Sequence, residues 1–177
     1  MDNMGRFIQK NAKCLTVGLL TLMFGSSGIL DDACRAQGPD GRSFGFGLVL
    51  IDPLGATVKL WINPINAIAF DIGESDFGPT RLDADYLWHF DPFHSRIVRM
   101  YAGPGLALAF GNGDGIYGGR EFDRGDNGVG IGVRVMFGLN VIPARTPIEI
   151  FFGLGPLIGL SPSGVGLDVA LGIRFYP

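Results

Sequence analysis

The sequence predicts an all-β chain: an eight-stranded antiparallel up-and-down transmembrane β-barrel preceded by a signal peptide. Three observations predict it. After Arg42, apolar residues alternate with small or polar ones, stretch after stretch, and a period of two is the strand signal. Gly, Pro, Asn and Asp clusters separate the stretches and mark turns. The chain is apolar on average, with mean hydropathy +0.30. Yet after the N-terminus it has no apolar run of the roughly 18 residues that a membrane helix needs. A chain that is apolar but never continuously so must interleave its apolar residues.

The N-terminus reads as a leader. Arg6, Lys10 and Lys13 form a positive region, Cys14 to Phe24 an apolar core, and Gly25, Ser26, Ser27 and Gly28 a small-residue stretch. That order fits a secretory signal, and the core is too short to span a bilayer. The expected division is 1–36 signal peptide, 37–42 lead-in and 43–177 barrel, with cleavage after Ala36. An N-terminal anchor helix is the alternative. Acylation of Cys34 would need small or apolar residues where Asp31 and Asp32 stand. Cleavage at Ala36 removes both cysteines, Cys14 and Cys34, and with them any disulfide or thiol nucleophile.

The strands follow in order. The first, 44–51, sets Phe44, Phe46, Leu48 and Leu50 on one face. The second, 56–62, opposes Val58, Leu60 and Ile62 to Thr57 and Lys59. The third, 67–73, opposes Ile68, Phe70 and Ile72 to Asp71. The fourth, 81–90, alternates Leu82, Ala84, Tyr86, Trp88 and Phe90 with Arg81, Asp83, Asp85 and His89. The fifth, 97–110, sets Val98, Met100, Leu106, Leu108 and Phe110 against Arg99, Tyr101 and small residues. The sixth, 128–141, sets Val129, Ile131, Val133, Val135, Phe137 and Leu139 against glycines, Arg134 and Asn140. The seventh, 148–157, opposes Ile148, Ile150, Phe152 and Leu154 to Glu149 and glycines. The eighth, 166–176, opposes Leu167, Val169, Leu171, Ile173 and Phe175 to Asp168, Ala170, Gly172 and Arg174. The connections fall at 52–55, 74–80, 111–127 and 158–165 on one end, and at 63–66, 91–96 and 142–147 on the other. Outer-membrane barrels pair longer external loops with short periplasmic turns, which places the first set outside.

The same alternation suits a soluble barrel with apolar side chains inside, so the direction of the faces decides the reading. Lys59 is the only lysine after the leader, and the polar faces are rich in Gly and Ala. Small residues suit the crowded centre of an eight-stranded barrel. The isolated charges there balance. Lys59, Arg99, Arg134 and Arg174 can meet Asp71, Asp83, Asp85, Glu149 and Asp168 in a barrel-interior network. Scattered surface ion pairs are the plainer alternative. Phe44, Trp88 and Phe175 share the apolar face near one end, as interfacial girdles do. Trp61 falls on the inward face, so it either packs inside or is shifted by a bulge.

The segments 83–89, 129–134, 147–151 and 171–176 resemble small eight-stranded outer-membrane barrels of the OmpA and OmpX type, and a group of uncharacterised bacterial outer-membrane barrels. The resemblance covers about residues 43–177. It implies a Gram-negative outer membrane, contact with its lipid and with the barrel-assembly machinery, and a monomer. Such chains end in an aromatic; here Pro177 follows Tyr176.

Little in the sequence points to chemistry. His94-Ser95 is the only adjacent Ser–His pair, and it sits in a turn without a third group to orient it. His89 and His94 make a poor metal site, and Asp83 with Asp85 answer the arginines. The 111–127 segment, with Asp114, Glu121, Asp123 and Asp126, holds one turn of a Gly-Asp repeat where calcium binding needs several. Gly-rich runs at 128–132 and 153–159 do not join a strand to a helix, so they are not phosphate loops. No catalytic residue, cofactor or metal is expected. A net charge of −3 gives nucleic acid no basic face. The leading reading is a non-enzymatic outer-membrane barrel, structural or a very narrow pore. The alternatives are a soluble or periplasmic small barrel binding an apolar ligand, and a lipid-modifying outer-membrane enzyme.

Overall fold

The computed structural model describes residues 38–95, 97–111, 128–143, 146–161 and 163–177. Among them a 3-10 turn, Pro39–Gly41, leads into eight strands. These are β1 (Phe44–Leu50), β2 (Leu54–Trp61), β3 (Asn66–Ser75), β4 (Gly78–Phe90), β5 (Val98–Phe110), β6 (Val129–Val141), β7 (Ile148–Ser161) and β8 (Ser163–Phe175). Each runs antiparallel to the next. The barrel closes where β1 meets β8, from Phe46 opposite Phe175 to Val49 opposite Gly172. Closure pairs the two strands that would otherwise be sheet edges. The expected leader and most of the 111–127 segment lie outside the described residues.

The period of two decides which side chain goes where. Along β6, outward Ile131 and Phe137 are 43% and 50% exposed, while inward Arg134 is 2% exposed. The same holds around the barrel: the exposed large side chains are Leu, Ile, Val, Phe and Trp, and the charged side chains of the strands are mostly inside. The barrel therefore carries apolar rows outside, while its strand charges lie mostly inside among apolar clusters. Its interior is packed by side chains of adjusted size. Tyr101 reaches across to Gly138 and Gly153, where any added methyl group would strike its ring or hydroxyl, and its hydroxyl donates to the Phe152 carbonyl at 3.2 Å.

Three apolar layers separate the polar ones. At the N-terminal end Trp61, Ala67 and Tyr176 cluster, with Gly38 close against the Trp61 ring. In the middle lie Val49, Ala69, Leu87, Tyr101, Met136, Phe151 and Ala170. Toward the far end Phe77, Ala107, Ala109 and Leu157 pack together. Trp61 is 3% exposed and packs inside, which settles the choice its position left open.

Two expectations need correction. The strands run further at the far end than turn residues suggest. Ser75 pairs with Gly78 and Leu160 pairs with Ser163, so the 74–80 connection shrinks to 76–77 and 158–165 shrinks to residue 162. Glycine and serine there mark close packing as well as turning: Gly78 lies against Ala109, and Phe77 turns into the interior. With 51–53 also short, 111–128 is the one long connection at that end, and the alternation of loop lengths is absent. Among the described residues no helix is long and apolar enough to cross a membrane, which leaves strands untouched as an argument.

Candidate functional site: the ionised interior

Between the middle and far apolar layers, Arg134 of β6 stands among four aspartates. Its Nε and Nη2 donate to Asp85 at 2.8 and 2.6 Å, a bidentate pair. Its Nη1 donates to Asp168 at 3.1 Å and lies 2.9 Å from Asp83, and Nη2 donates to Asp71 at 3.3 Å. The backbone explains this reach. Asp85, Gly105 and Arg134 occupy one cross-strand row, and a side chain at Gly105 would strike the Asp85 carboxylate. Asp71 and Asp83 are directly opposed on β3 and β4, a repulsive pairing that Arg134 offsets by touching both.

Arg81 completes this layer. It donates from Nε to Asp83 at 2.8 Å and from Nη1 to Asp168 at 3.0 Å, and its Nη2 also meets Asp168. Nη1 further donates to Ser75 at 3.2 Å and lies 3.7 Å from Asp52 in the 51–53 turn. Burial pushes the Asp52 carboxyl above the ordinary carboxylate range, and Ser75 and Arg81 pull it back only in part.

Toward the N-terminal end the centre is Glu149. It pairs directly with Arg174 across β7 and β8, at 3.1 Å from Nη1, and accepts from Lys59 at 2.9 Å. The Tyr176 hydroxyl donates to its other oxygen, and Trp61 Nε1 donates to Tyr176 at 3.2 Å. Lys59 also donates to His89 Nε2 at 3.0 Å. Arg174 spends Nε and Nη2 on Thr57 at 3.0 and 2.9 Å, and its guanidinium lies 3.7 Å from the Phe151 ring centre. One longer contact, Arg174 to Asp71 at 3.9 Å, links the two layers.

The structure thus brings together Lys59, Asp71, Asp83, Asp85, Arg134, Glu149, Asp168 and Arg174 in the interior. Arg99 is half-buried on β5, near the N-terminal end. Sequence reasoning left Arg81, Thr57 and Tyr176 out of this network, and it expected His89 only as an interior or interface polar group and Trp61 only as an inward-facing ring. Arg81 was within reach of it, since it shares the period-two face of Asp83 and Asp85. The Tyr176 ring, read from sequence as a terminal aromatic, is buried inside.

Chemically the arrangement fixes its own groups. Buried ion pairs offset the cost of leaving water only when hydrogen bonds satisfy both partners, a condition met by the Arg134–Asp85 pair and at Glu149 but not by Asp71 Oδ1 or Asp83 Oδ2. His94-Ser95 lies in the 91–97 connection, where the Ser95 hydroxyl accepts the backbone N–H groups of Ile97 and Val98. Among the described residues no group of three His, Cys, Asp or Glu side chains is placed to hold a metal ion.

Comparison with known proteins gives no match: no family model, no curated protein and no solved structure is significantly similar to the chain. The closed, antiparallel, eight-stranded architecture is what the chain has in common with OmpA- and OmpX-type barrels.

Proposed function

We propose that this chain is an integral outer-membrane β-barrel of a Gram-negative bacterium, exported through a cleaved signal peptide, with a structural rather than an enzymatic role. One observation carries the reading: the Leu, Ile, Val and Phe rows face outward while arginine, lysine and aspartate side chains are buried at the centre. Soluble monomers rarely expose apolar patches larger than a few hundred Å². Hydrocarbon makes the outer rows favourable, and strand-to-strand hydrogen bonding around a closed barrel satisfies the backbone in lipid. Strands β3 to β8, of 10 to 14 residues, reach the roughly 9–11 residues that a tilted spanning strand needs. The β1 and β2 strands have 7 and 8 residues, and exposed Ile51 and Leu54 carry the apolar row around their turn.

The layered interior supports a filled barrel rather than a solute pore, because side chains from all sides meet at each level. Lipid is the expected partner, with the assembly machinery during biogenesis, and the barrel is expected to be a monomer.

The test is outer-membrane fractionation combined with heat-modifiable gel migration. The barrel is expected in the membrane fraction, migrating faster before boiling. Recovery as a detergent-free soluble periplasmic protein would contradict the reading. Ile131→Arg sharpens it: a cation on the outward row costs about 2–4 kcal/mol at mid-membrane and should block assembly, whereas Gly115→Arg, in the long connection, should not.

A further inference from the structure

We propose that the interior holds ordered water on Asn140, in the polar layer nearest the N-terminal end. Asn140 points inward from β6 and is 0% exposed. Its neighbours across the sheet are Arg99 on β5 and Phe151 on β7. Neither its amide nitrogen nor its carbonyl oxygen makes a hydrogen bond to the protein. That sets it apart from Lys59, Glu149, Arg174 and Tyr176 in the same layer, each of which is engaged. A buried amide left without partners is a cost that native proteins avoid, usually by placing water.

A second group points the same way. His89 is 4% exposed, and its Nδ1 has no hydrogen-bond partner. The Lys59 ammonium has only protons to give, so Nε2 accepts and Nδ1 carries the ring hydrogen. The carbonyl of Ile65 already takes the backbone N–H of His89 at 2.6 Å. The interior therefore presents an unmet donor and acceptor on Asn140 and, separately, an unmet donor on His89. The ligand must both give and receive hydrogen bonds and must be small. A halide would leave the Asn140 oxygen unmet, and a cation would leave both donors unmet. Water can serve donor and acceptor alike. Leu87, Tyr101, Met136 and Phe151 belong to the neighbouring apolar cluster, and they give such a water no other polar partner.

The inference concerns the inside of the barrel and holds wherever the barrel resides. A crystal structure of the full barrel, at a resolution that shows solvent, should place a water within hydrogen-bond distance of Asn140 Oδ1 or Nδ2. An Asn140 amide in dry contact, or bonded only to protein groups, overturns it. The variant Asn140→Leu gives an independent reading. With water present, the temperature of the gel-mobility shift stays the same or falls. A rise of more than about 2 °C shows that two truly orphaned groups were relieved, and it overturns the proposal. Should leucine block assembly, Asn140→Ala carries the same test.

Discussion

Toward the far end of the barrel two guanidiniums stand among four aspartates, while toward the N-terminal end an ammonium and a guanidinium share one glutamate. The first layer is acid-rich and held by planar donors that can each serve several carboxylates. The second is base-rich, and its surplus donors go to neutral partners: Thr57, His89 and the Phe151 face. The difference teaches that the two layers carry opposite imbalances, the first acidic and the second basic, which offset each other in part. It also shows why each layer hangs on one residue, Arg134 in the first and Glu149 in the second.

The comparison breaks most visibly at Arg134. Arg134→Met leaves Asp71, Asp83, Asp85 and Asp168 with Arg81 as their main cation, and removing one partner of a buried pair costs about 3–5 kcal/mol. Loss of the folded gel form, or a much lower urea midpoint, is the expected result. Arg134→Lys keeps the charge but not the fork, and should fall between.

Glu149→Gln comes next. It removes the negative charge that Lys59 and Arg174 share but keeps an amide for hydrogen bonding, and should cost about 2–3 kcal/mol by urea titration. If the layers act separately, the double variant adds the two losses to within about 0.5 kcal/mol. A larger departure would assign real coupling to the single long contact between Arg174 and Asp71.

The sequence made the alternation of every strand legible, because each inward or outward choice is local. Which inward groups meet was not legible. Arg81 and Asp168 are far apart in the chain, and the stagger of strands around the closed barrel decides that they touch. The strand ends at Ser75, Gly78, Ser161 and Ser163 were misjudged for a related reason. Glycine and serine look the same in a turn and in a tightly paired strand end until the neighbouring strand is known. That Trp61 and Tyr176 meet was likewise illegible, because the contact joins the end of β2 to the residue after β8.

The smallest effect is at Asp52, on the rim of the acid-rich layer. Its carboxyl is raised above 3.8 by burial, so the folded state favours the protonated form. That contribution is complete below the ordinary carboxylate range and is lost as pH rises through the raised value. Asp52→Asn should therefore raise stability slightly at neutral pH and hardly change it in acid. Gel-shift temperatures at the two pH values check this; a loss at neutral pH would show that the Arg81 contact outweighs burial.

The central claim is that hydrocarbon covers the outward rows. Spin labels placed singly at Leu106, Leu108, Ile131 and Phe137 in the reconstituted barrel test it most directly. The account predicts collisions with dissolved oxygen and little contact with a water-soluble nickel chelate at all four sites. Free access of the chelate there, or exclusion of both reagents by protein packing, would contradict it.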